Sequence, residues 1–126
     1  MTTVSIGEAA RRTGVAATAL RDYEDAGVLP PAARVHGRRR YDASAIRRIE
    51  LLRFAQRAGF TLSEVKATFC SVESGAALHA SWAPIARAKL DELAALGARI
   101  RRMRRDVRRA LRCRCKRIED CTLGEN

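Results

Sequence analysis

The sequence predicts a mainly α fold. A winged helix-turn-helix is followed by a long helix that pairs with a second copy as an antiparallel coiled coil, and a short cysteine loop ends the chain. Three observations predict it. Two short helical segments meet at Gly14, a basic hairpin pattern occupies residues 34–41, and an apolar repeat of seven runs over residues 86–107.

Ser5 with Glu8 three residues on has capping-box spacing for a first helix, and Gly14 suits its left-handed end. A second helix over residues 16–25 closes at Ala26-Gly27, so the pair forms a helix-turn-helix. Leu29-Pro30-Pro31 forbids helix. The run Arg34-Val35-His36-Gly37-Arg38-Arg39-Arg40-Tyr41 then reads as a hairpin turning at His36-Gly37, a basic wing. Asp42 or Ser44 caps a third helix with Ile46, Ile49, Leu52 and Ala55 on one face, ended by Gly59. Thr61 and Glu64 form a second capping box for a fourth helix, with a linker beginning near Ser71.

A helical pattern spans residues 81–113, with Pro84 expected in its first turn, where its missing N–H costs nothing. Ala86, Leu93, Ile100 and Val107 recur every seven residues, and Leu90 (or Lys89), Leu96, Met103 and Ala110 with Leu111 fill the intermediate positions. Such a stripe on so long a helix calls for a second copy, hence a homodimer. The domain division is a winged helix-turn-helix domain at 1–70, a linker at 71–80, a dimerisation helix at 81–112 and a cysteine-rich loop and tail at 113–126.

The 126 residues carry 25 Lys and Arg against 14 Asp and Glu, a net charge of +11. The excess is distal: residues 1–98 hold 14 basic and 10 acidic side chains, whereas residues 99–117 hold 11 basic ones against Asp106 alone. That run reads as a solvated face, an attraction for an acidic partner, or an electrostatic setting for the cysteines within it. No apolar run is long enough for a membrane span, and residues 1–15 lack the apolar core of a secretory signal. A cytoplasmic protein with reduced thiols is expected, its cysteines serving as metal or redox groups. Catalysis is not expected, because no C-x-x-C in an α/β pattern, Ser/His/Asp set, phosphate loop or carboxylate pair appears.

In a winged helix-turn-helix the second helix enters the major groove of duplex DNA and the wing reaches the flanking backbone. Ala17, Thr18 and Arg21 are expected on the exposed side of that helix, with Thr18 and Arg21 able to meet base edges or phosphates. Tyr23 offers its hydroxyl to phosphate, and Arg38, Arg39, Arg40 and Tyr41 supply the wing. A sequence-independent nucleic-acid binder would account for the arginine run but not for this constellation.

Ile6-Gly7-Glu8-Ala9-Ala10-Arg11-Arg12-Thr13-Gly14-Val15, the run from Leu20-Arg21-Asp22-Tyr23-Glu24 to Gly27-Val28-Leu29-Pro30, and Arg39-Arg40-Tyr41 resemble the MerR family of transcription regulators. Val28 and Asp22 depart slightly from its usual choices. The resemblance covers residues 4–70. It implies a dimer on a palindromic promoter whose elements are spaced too far apart for RNA polymerase holoenzyme. Effector binding then bends and undertwists the DNA to align them.

The family's sensor position reads Cys113-Arg114-Cys115-Lys116-Arg117-Ile118-Glu119-Asp120-Cys121, a C-x-C-x5-C pattern. Neighbouring cysteines in a loop bring several sulfurs to one ion, and Cys113 and Cys115 cannot both face inward from a helix, so the helix is expected to end here. The loop resembles the SoxR-type branch, whose [2Fe–2S] loop reads C-x2-C-x-C-x5-C. Ala110 stands at the first cysteine, and Gly59, residues 67–69, Gly75 and Trp82 extend the likeness. In family members that bind divalent metals, a cysteine near the start of the long helix completes the partner's site. Ala80 aligns with it, which makes the adjacent His79 of the other chain a candidate fourth ligand. Cys70 reads as a small buried hydrophobe, with ligation as its alternative. Three sensors stay open: a thiolate-bound Zn²⁺, Hg²⁺ or Cu⁺, a [2Fe–2S] cluster with an unusual fourth ligand, and metal-free thiols activated by Arg112, Arg114, Lys116 and Arg117.

Overall fold

The computed structural model describes residues 2–125. They form two compact units, one ending at Ala86 and one beginning at Arg87. The first holds β1 (Val4–Ser5), α1 (Ile6–Thr13), α2 (Ala17–Asp25), β2 (Ala33–Val35), β3 (Arg38–Tyr41), α3 (Ala43–Arg57), α4 (Leu62–Glu73) and the first turns of α5 (Leu78–Arg112).

Local chemistry places the helix ends where the sequence put them. The Ser5 hydroxyl accepts from the Glu8 N–H at 3.2 Å, and Gly14 ends α1 with φ 72°. The reciprocal half of that box is not made, because the Glu8 carboxylate instead takes Arg11 and Arg12. Of the two caps considered for α3 it is Asp42 that serves, accepting from the Ala45 N–H at 2.8 Å. Thr61 and Glu64 complete both halves of their box at α4.

The wing turns on His36 (φ 53°) and Gly37 (φ 77°), both left-handed, with Val35 opposite Arg38. Two such residues make the tight turn whose twist matches a β ladder. Sequence reading missed β1. It is two residues long and gains its place only by pairing with β3 (Val4 opposite Tyr41), giving the order β1-β3-β2.

The core gathers Ala9, Val15, Leu20, Val28, Leu29, Tyr41, Ile49, Leu52, Ala55, Val65 and Phe69. Leu20, Ile49 and Leu52 are essentially sealed from water, each contributing about 1.5–3 kcal/mol by burial. Arg53 ties α3 to the helix-turn-helix by donating to the Thr13 carbonyl.

Helix α4 runs to Glu73 and α5 starts at Leu78, so only residues 74–77 lie outside helix where residues 71–80 read as linker. The earlier start puts Pro84 inside α5 rather than in its first turn, where its absent N–H deletes one bond of the second turn. Trp82 secures this end, its ring 4.2 Å from that of Phe60 and tilted by 43°. Among the described residues no helix is long and apolar enough to cross a membrane.

In the second unit α5 continues to Arg112, followed by a 3₁₀ turn at Ile118–Asp120. The apolar positions of the heptad lie bare: Leu93, Leu96, Ile100, Met103 and Val107 are 44–62% exposed.

Candidate nucleic-acid interface and metal centre

Helix α2 presents Thr18 and Arg21 to solvent, with Ala17 half-buried beside them. Between α2 and the wing lies a concave surface lined by Ser5, Ile6, Arg21, Arg34, Arg38 and Arg39 among others. Its positive charge and concavity suit a phosphate backbone. Arg34 was missed by sequence reading. The signal was available, because a hairpin turning at His36-Gly37 sets Arg34 opposite Arg39.

The remaining candidates are more firmly held. Tyr23 is half-buried and donates its hydroxyl to Gln56 Oε1 at 3.2 Å. Arg39 pairs with Glu24 at 3.0 Å, both side chains 20% exposed or less. Arg40 bonds the Thr3 hydroxyl and carbonyl. Tyr41 is not an exposed wing residue: it is 5% exposed and sits in the core, where burial raises its pKa above the ordinary tyrosine value. Strand alternation explains this, since Arg39 and Tyr41 share one face of β3 and that face meets Glu24. Arg38 stays exposed at the wing.

At the end of α5, the Cys113 N–H still reaches back to the Ala110 carbonyl, but helix stops at Arg112. The chain then folds back through the 3₁₀ turn, and the Cys121 N–H bonds the Ile118 carbonyl. This return brings the sulfurs of Cys113, Cys115 and Cys121 within 4.8 Å of one another, with Cys113 and Cys121 3.9 Å apart. Arg109, Arg112, Thr122 and Leu123 line the same hollow. Two thiolates on one tetrahedral ion, each about 2.3 Å from it, lie about 3.8 Å apart. The Cys113–Cys121 pair therefore already stands at bonding separation for a single thiophilic ion.

The thiols are not equivalent. The Cys115 N–H, bonded to the Cys113 sulfur, draws the Cys113 pKa below the ordinary thiol value. Cys115, hydrogen-bonded to that same sulfur, is pushed up. Hydrogen bonds within the loop thus set the thiols apart from one another, a difference the surrounding arginines do not predict. His79 lies in the first turn of α5 and is exposed. Cys70 is exposed on α4 rather than buried, because Val65, Thr68 and Phe69 define the inward face and position 70 falls off it.

The fold and the thiol hollow together define a helix-turn-helix regulator equipped with a sulfur-rich site. The MerR HTH family of regulatory proteins matches residues 4–70, and the MerR DNA-binding family matches residues 46–110. A SoxR homologue of Chromobacterium violaceum, an HTH-type transcriptional activator, is 33% identical over 129 positions, covering 96% of this chain and 82% of its own length. Among solved structures, MtaN, the N-terminal part of the Bacillus subtilis multidrug transporter activator, superposes with TM-score 0.74 at 21% identity, covering 87% of this chain and 99% of that one. HiNmlR, a MerR family regulator bound to promoter DNA, gives 0.64 at 22%, covering 81% and 78%. At those identities the structural likeness speaks for the fold. The chain belongs to the MerR family of transcription regulators.

Proposed function

We propose that the protein is a homodimeric regulator that binds a palindromic promoter site and changes transcription when the Cys113, Cys115 and Cys121 thiols take up a soft or borderline metal ion. The observation that carries this reading is the convergence of three sulfurs within 4.8 Å at the end of α5, in a member of a family of transcription regulators. Thr18, Arg21 and Arg38 are exposed side chains able to meet DNA, as is Arg34, whose Nη1 also donates to the Gly37 carbonyl at 3.2 Å, with Ala17 in close approach. Tyr23, Arg39 and Arg40 hold the reading surface in shape. The exposed seam of α5 joins two copies as an antiparallel coiled coil.

The donor set fits one thiophilic ion of the Zn²⁺, Hg²⁺ or Cu⁺ class. Three thiolates satisfy a trigonal site, and a fourth position is open to His79 or Cys70 of the second copy. A [2Fe–2S] cluster, the second reading, is favoured by the likeness of C-x-C-x5-C to the SoxR-type loop. It normally takes four cysteines, and this loop supplies three. The residues thus fit the single ion better. On the promoter, the dimer's task is to distort DNA so that RNA polymerase holoenzyme engages it.

Elemental analysis with an absorption spectrum of anaerobically purified protein tests the site. One equivalent of a single ion per chain is the expected result. About two irons per chain with visible charge-transfer bands would establish the cluster instead. Serine at positions 113, 115 and 121 together is expected to abolish the transcriptional response while leaving operator binding within about twofold. An unchanged response in that variant would defeat the sensor assignment.

A further inference from the structure

The side of α5 facing away from the seam is built of arginine along its distal third. With Ile100, Met103, Val107 and Ala110 in the seam, the outward positions hold Arg101, Arg102, Arg105, Arg108, Arg109 and Arg112. All six are exposed. Asp106 is the only carboxylate in residues 99–117, and it leans on Arg109 at 3.6 Å. Arginines stand three or four residues apart throughout (101 and 105, 105 and 108, 108 and 112), the spacings at which like charges repel and weaken a helix. A sequence that keeps such repulsion on one face leaves it to be relieved by an anion from outside.

We infer that this face binds the phosphodiester backbone of duplex DNA without reading its sequence, a contact additional to that of the helix-turn-helix. Two features favour a phosphate polymer over an acidic protein. No apolar or aromatic residue interrupts the outward positions, whereas protein interfaces are anchored by such residues at their desolvated centres. The cations are guanidinium forks, which grip phosphate oxygens in pairs. The scale also agrees. Arg101 to Arg112 spans about 16 Å of helix, and a duplex of that length carries roughly ten phosphates at one charge per ~1.7 Å. The contact leaves the apolar seam positions to the second copy, with Arg108 bordering them and Arg109 and Arg112 shared with the thiol hollow.

The test is the salt dependence of binding to a short random-sequence duplex, for the full chain and for a variant carrying Arg101→Gln, Arg102→Gln, Arg105→Gln and Arg108→Gln. Glutamine keeps helix propensity and removes repulsion, and Arg109 and Arg112 beside the thiols stay in place. Circular dichroism and light scattering verify that the variant keeps its helix content and size. The slope of log affinity against log salt should fall by about 3 to 4, at ~0.9 per lost phosphate contact, with affinity down about tenfold or more in ~0.1 M salt. A second variant, Arg21→Gln with Arg38→Gln, should lower binding independently, so the two losses combine. Equal slopes for the parent chain and the fourfold variant would overturn the inference. So would tighter binding of the parent chain to polyglutamate than to a duplex of equal charge, which would assign the face to an acidic protein.

Discussion

Gly14 is constrained twice. Its φ of 72° lies where side chains with a Cβ are strained, and a Cβ there would stand 1.8 Å from Nη1 of Arg53, the atom that holds the Thr13 carbonyl. Gly14→Ala should cost about 1–2 kcal/mol through the backbone term alone, with more if Arg53 is displaced; denaturant unfolding measures it. Glu8 gives a pH signature. Two arginine partners hold its pKa below the ordinary glutamate value, Arg11 making the strongest contact. Its contribution to stability is therefore full above the unfolded value of about 4.3 and disappears as pH falls through the lower folded one. Thermal midpoints of the parent chain and of Glu8→Gln should accordingly differ at neutral pH and converge in acid. Residues of this kind were legible in the sequence when their partners lie three or four positions away, as at Ser5, Thr61 and Gly14. Tyr41 was misread because its surroundings come from Glu24 and from β1, and no local pattern reports them.

At the scale of elements, capping signals and periodicity located every α-helix and the ends of α1, α2 and α3, and what they missed was the end of α4, the start of α5 and the 3₁₀ turn at residues 118–120. Capping signals marked the starts of α1, α3 and α4, but α4 has no strong terminator before Gly75, so residues 71–73 stayed in helix. The three-residue shift in the start of α5 moved Pro84 into the interior for the same reason: no side-chain cap announces Leu78. The thiol hollow was legible as a cluster from its spacing. The unequal thiols were not, because they arise where the Cys115 N–H and the Cys115 thiol both meet the Cys113 sulfur. The exposed seam makes its own prediction. Val107→Asp puts a carboxylate among apolar side chains that two copies bury together. It should raise the dimer dissociation constant by about 100-fold or more, about 2.7 kcal/mol, as read by sedimentation across a concentration series. An unchanged constant would mean that the seam is not the interface.

For the molecule as a whole, the two compact units divide the labour along the sequence: the aromatic and aliphatic core lies before Ala86, and the distal arginines and paired sulfurs lie after it. The first unit is stabilised by its own burial. Among its described residues the second has no buried apolar cluster, and the pairing proposed for its bare heptad positions would make a second chain part of its folding. Within the first unit, α2 is fastened on two sides, by Glu24 to Arg39 of the wing and by Tyr23 to Gln56 of α3. Pinned at both flanks, it has little freedom to tilt toward an imperfect site. The head should therefore behave like a stiff gauge: a base pair of the wrong shape is met by lost contact rather than by accommodation, and torque applied from outside arrives at the groove undiluted.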